Sequence, residues 1–104
     1  MFFIILFCIF VPMKETEKEE LYLKAIETWG QMPQINMVNE ECGELITSLA
    51  RYLRGRDTAD DVITEIADVS IMMEQMAVLF GKEQFEKEKE RKLQRLKERL
   101  EKKK

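Results

Sequence analysis

The sequence predicts an all-α protein: a bundle of about four helices per chain, completed by oligomerisation. Three observations carry that prediction. Glu, Lys, Leu, Met, Arg and Ala dominate, while the 104 residues hold only four Gly and two Pro; the dominant residues are those that lose least freedom on entering a helix. Gly30, Gly55 and Gly81 each follow a stretch of helical pattern, where glycine ends a helix most readily. No segment alternates apolar and polar residues as a half-buried strand does. With 45% hydrophobic and 36% charged residues, the composition is that of a soluble helical protein. A chain this short makes one domain with a limited core, hence the expectation of an oligomer.

The elements follow in order. Residues 1–12, "MFFIILFCIFVP", carry no charge and do not match what comes after. The run is shorter than the roughly 20 residues a membrane span needs. It also lacks the basic start and small-residue cleavage site of a signal peptide. It is expected to be an over-extended start, with Met13 as the working initiator; a short membrane-associating segment is the other reading. Residues 13–104 then form the domain. A first helix is expected over 16–29, opened by the capping-box pattern of Thr16 and Glu19. "GQMPQ" reads as a loop because of Pro33. A second helix covers 35–54, with its apolar stripe at Ile35, Val38, Cys42, Leu45, Ile46, Leu49 and Leu53. A third covers 58–80, with Asp60 and Asp61 suited to the positive end of its dipole. From Val69 onward it is apolar almost all round, which predicts burial on every side and so a partner chain. A fourth, basic helix covers 82–104.

Charge divides the chain. Residues 13–81 hold 6 basic and 14 acidic side chains, net −8; residues 82–104 hold 11 basic and 6 acidic, net +5. Such a split fits a site where carboxylates hold a cation and Lys or Arg hold an anion. It also fits a solvated, salt-bridged tail. Strong nucleic-acid binding is not expected, since six Glu interrupt the tail and Phe85 is its only aromatic residue. Two cysteines, Cys8 and Cys42, make neither a disulfide framework nor a zinc site. There is no histidine, so any chemistry rests on carboxylates, Lys, Arg or hydroxyls.

Two carboxylate pairs stand out: Glu41 with Glu44, and Glu65 with Asp68. Each has i,i+3 spacing, which puts both side chains on one helix face. Glu65 shares its side with Val69, Met72 and Met76, and Asp68 borders that side. An uncompensated carboxylate facing buried surface is costly, so these must be paired, protonated or metal-bound. Two such helices packed antiparallel would gather four carboxylates. Oxygen ligands without His or Cys suit Mg²⁺ or Mn²⁺.

"EECGEL", the turn "RGRD" and "EIADVSIMMEQM" together resemble the MazG-like all-α nucleoside triphosphate pyrophosphatases, closest to the short, single-domain, phage-like type. The family pattern is EExxE, a connection, then ExxD. Here it reads Glu40-Glu41-Cys42-Gly43-Glu44, twenty residues, then Glu65-Ile66-Ala67-Asp68. The resemblance implies a cytoplasmic homodimer or homotetramer that does not engage a membrane. It implies Mg²⁺-dependent cleavage of a nucleoside triphosphate between the α and β phosphates, giving the monophosphate and pyrophosphate. By position, Glu41, Glu44, Glu65 and Asp68 match the metal ligands, with Glu41 or Glu44 as the base; Glu40 is a weaker candidate. Lys92, Arg95 and Arg99 resemble the basic residues of the family's last helix that meet the phosphates, with Lys89 and Arg91 as the alternative register.

Base contacts are open to Trp29, Gln34 and Asn36: Trp29 by stacking or else as core packing, the amides by hydrogen bonds. Arg51 and Arg54 either reach a phosphate or face water. Two other functions compete. One is a helical interaction module with no metal dependence. The other is a related enzyme acting on phosphoribosyl-ATP.

Overall fold

The computed structural model describes residues 11–103. The N-terminal run and Cys8 therefore lie, save Val11 and Pro12, outside the described residues. Four helices follow one another: α1 (Glu15–Trp29), α2 (Gln31–Leu53), α3 (Ala59–Phe80) and α4 (Lys82–Lys102). There is no strand among the described residues, so the all-helical expectation is met.

The joints follow from local chemistry. Gly30 joins α1 to α2 alone, at a φ of 91° that side chains rarely adopt. Its N–H closes α1 on the Ile26 carbonyl at 2.8 Å. The expected "GQMPQ" loop is thus a single residue. Pro33 sits in the first turn of α2, where a backbone N–H would have no partner in the helix, so its missing donor breaks nothing.

The expected capping box at Thr16 is also corrected. α1 begins at Glu15, and Lys14 at its N-cap makes no side-chain cap bond. Glu19 pairs instead with Lys82. The capping box in this chain is at α3. Thr58 Oγ1 accepts the Asp61 N–H at 3.2 Å, and the Asp61 carboxylate accepts the Thr58 N–H at 2.8 Å. Asp61 stands where the usual capping box has Glu or Gln.

α2 and α3 form an antiparallel hairpin, the main packing of the molecule. Gln34 meets Gln75 near its open end, and Ser48 meets Asp57 near its turn. α1 rests chiefly on α3, through a Tyr22 hydroxyl that donates to Glu74 at 2.8 Å. α4 packs only on α3, and Lys82 in its first turn reaches Glu19 of α1. None of its residues is even half-buried.

Among the described residues the apolar core is small: Tyr22, Met72 and Ala77 are its buried members, and no side chain is fully enclosed. Ile35, Val38, Cys42 and Leu45 of the α2 stripe are half-buried, but its far end is exposed, Leu53 at 84%. Ile71, Met73 and Phe80 of α3 are exposed as well. No helix among the described residues is long and apolar enough to cross a membrane.

Candidate metal centre

The hairpin decides what the carboxylates do. Glu41 and Glu44 lie one turn apart on α2. Glu65 lies on the facing turn of α3, and one oxygen from each of the three falls within 4.8 Å of the others. Glu41 and Glu65 are half-buried and Glu44 is exposed. Oε2 of Glu41 and Oε2 of Glu65 are shut off from solvent with no hydrogen-bond partner. Buried acceptors are rarely left this way, because the lost hydration is not replaced.

The charges confirm the crowding. Burial raises the Glu41 carboxyl above its ordinary range, and repulsion from Glu44, Asp68, Glu65 and Glu40 adds to the rise. Burial also raises Glu65, followed by repulsion from its neighbours Glu44 and Asp68. No cation among the described residues lowers either group. Burial first, and then neighbours of their own sign, hold both toward their neutral forms. A hard divalent cation would remove that penalty, and three carboxylate oxygens are a suitable donor set for one.

Asp68 is half-buried one turn beyond Glu65. It stands outside the close triad, although its charge reaches both Glu41 and Glu65. Glu40 is exposed at the rim of the cleft.

The cleft beside the cluster measures about 580 Å³ and is lined by Glu44, Glu65, Ser48, Arg51 and Asp57 among others. Its far wall is ordered by Asp57. Arg51 Nε donates to Asp57 Oδ1 at 2.7 Å, and the buried Ser48 hydroxyl donates to Oδ2 at 2.8 Å. Those two bonds, Arg51 first, hold the Asp57 carboxyl below the usual range, and the same pairing raises Arg51. Ser48 and Asp57 were not among the residues singled out from sequence. The available signal was an acid placed directly after the basic turn "RGR" that follows a helix.

The remaining candidates lie elsewhere. Lys92, Arg95 and Arg99 are on α4 and line neither cleft that holds the carboxylates. Lys92 instead borders an apolar groove with Phe85, Leu93 and Leu96. Trp29 is 63% exposed, so it is not a core residue. It flanks a separate groove between α1 and α3, lined by Leu21, Tyr22, Ile71 and Gln75. Gln34 is buried, and its carbonyl oxygen accepts from the Gln75 amide. Asn36 is exposed on α2.

No protein-family model, curated protein or solved structure matches this chain.

Proposed function

We propose that this chain is a divalent-cation-dependent nucleoside triphosphate pyrophosphohydrolase of the MazG-like kind. The observation that carries the reading is the convergence of Glu41, Glu44 and Glu65 from two helices, with two carboxylate oxygens buried and unpartnered. Such oxygens need a proton or a cation. The EExxE and ExxD spacing and the adjoining cleft support the same reading.

Glu41, Glu44 and Glu65 would hold Mg²⁺ or Mn²⁺, with Asp68 completing the set. When bound, the cation supplies the positive charge that draws phosphate oxygens to the cluster and makes a nearby water more acidic. Glu41 or Glu44 takes the proton of the attacking water. The water oxygen forms a bond to the α phosphorus as the bond from that phosphorus to the bridging oxygen breaks. Pyrophosphate leaves with the electron pair, and the monophosphate remains. Little covalent work is asked of the protein; positioning and charge carry the rate.

The assembly is expected to be a dimer or larger. The exposed apolar faces of α2, α3 and α4 support a second copy. The same faces are what favours the competing reading, a helical interaction module without activity.

The deciding assay measures pyrophosphate release from each common NTP and dNTP, with Mg²⁺ and with EDTA, for the wild type and Glu41→Gln. Release that needs the metal, and falls by about 100-fold or more in the variant, is expected. A folded oligomer that releases pyrophosphate from none of them, nor from phosphoribosyl-ATP assayed alongside, would turn the assignment to the interaction module.

A further inference from the structure

The end of α2 and the turn after it carry cations to which the proposed mechanism gives no part. Arg51 and Arg56 line, with Glu65, a second cleft of about 450 Å³ that shares Ser48 and Asp57 with the first. The turn is tied down: the backbone N–H groups of Arg56 and Asp57 both donate to the Arg51 carbonyl, at 2.8 and 3.4 Å. Asp57 engages Arg51 through Nε, which leaves the two terminal nitrogens of the guanidinium for another acceptor. Arg56 makes no ion pair or side-chain hydrogen bond among the described residues. Asp61 shares the second cleft, but its carboxylate is engaged by Thr58 at the start of α3.

Charge counting gives this turn a purpose. The Arg51–Asp57 pair is neutral as a unit, so Arg56 is the unpaired cation among the described residues of a cleft that also holds the carboxylates of Asp61 and Glu65. A triphosphate chain needs more positive charge than one divalent cation brings. The basic residues of α4 are far richer in number, yet they line neither cleft. A planar guanidinium fork also suits two phosphate oxygens at once.

We propose that Arg51 and Arg56 form the anion subsite for the pyrophosphate end of the substrate, beside the carboxylate cluster, with Asp57 as the positioning residue for Arg51. This rests on the pyrophosphohydrolase reading. It places the β and γ phosphates along the hairpin turn, and the α phosphorus at Glu41, Glu44 and Glu65.

Calorimetric titration of inorganic pyrophosphate with Mg²⁺ into the full chain tests it, with Mn²⁺ binding measured in parallel. Arg56→Ala is expected to weaken pyrophosphate by about tenfold or more while leaving Mn²⁺ binding unchanged. Arg56→Lys recovers part of the loss, because charge returns without the fork. The triple variant Lys92→Ala, Arg95→Ala, Arg99→Ala stays within about twofold of the wild type. Asp57→Asn raises KM for the nucleotide several-fold with kcat little changed, as loss of positioning requires.

Two results overturn the subsite and leave the enzyme reading intact: unchanged pyrophosphate affinity in Arg56→Ala and Arg51→Ala while Glu65→Gln abolishes binding, or a loss that follows the triple α4 variant instead. A wild type that binds Mn²⁺ but no pyrophosphate overturns the subsite and the enzyme reading together.

Discussion

Glu41 and Glu65 set the behaviour of the site without a cation, and the sign of the effect can be worked out. Both carboxyls titrate above their ordinary value of 4.5 in the folded chain, burial being the first cause. A raised folded value means the fold binds these protons more tightly than the unfolded chain does. Stability from that source is complete below pH 4.5 and is lost as pH rises through the raised values. In EDTA, the melting temperature is therefore expected to fall as pH climbs from about 4.5 into the neutral range, by this contribution. Mn²⁺ or Mg²⁺ should restore it, and more so at the higher pH, where no proton competes for the oxygens. Glu65→Gln should flatten the EDTA profile and remove the response to metal. Thermal melts by circular dichroism, across pH with and without Mn²⁺, check both. A wild type indifferent to metal at every pH would show that protons alone satisfy the cluster. The triad itself was legible in the sequence, because i,i+3 pairs on two adjacent helices can meet in only a few ways. Asp57 was marked only by its place directly after the basic turn "RGR", and its partner Ser48 lies on another element.

At the scale of the helix, the hairpin α2–α3 is held in register by a polar pair inside an apolar contact. Gln34 and Gln75 are 5% and 4% exposed, and each amide finds its partner only in the other. A one-turn slip would strand both, and would also pull Glu41 and Glu44 away from Glu65. Removing one partner should cost more than removing both, because the remaining amide keeps its desolvation penalty. Gln75→Leu is expected to lower stability by about 1–3 kcal/mol, while Gln34→Leu with Gln75→Leu regains most of the loss. Urea unfolding of the two singles and the double measures it; additive losses would mean the pair does not act as a unit. Helix number and ends were largely legible, since Gly30, Gly55 and Gly81 each adopt the positive φ that glycine supplies. What the sequence hid was the start of α2. Pro33 reads as a breaker, yet one turn into a helix it is harmless.

For the whole molecule, the dimensions point beyond one chain. The radius of gyration is 17.5 Å and the longest axis 52 Å, against about 13 Å for the radius of a compact domain of this length. The excess is the arm α4, which leaves the body after Gly81. Along it, Leu93, Leu96 and Leu100 repeat at three and four residues, the spacing of a helix-packing seam. All three are at least half exposed, as are Leu53, Ile46 and Phe80 on the body. Among the described residues, a core of three buried apolar side chains is small to hold four helices against the entropy of ordering them. A second copy would supply the missing cover, and the charges would assist, since the body is net −8 and the arm net +5. Sedimentation velocity is thus expected to give a dimer or larger, well above the 12.4 kDa of one chain. Raising salt should weaken the assembly, because part of the attraction is between opposite charges at exposed positions. Leu93→Asp with Leu96→Asp should shift it toward the single chain while far-ultraviolet circular dichroism stays helical. A wild type that sediments at one chain mass with its helices intact would show that this sparse core suffices alone, and the apolar arm would then need a different partner.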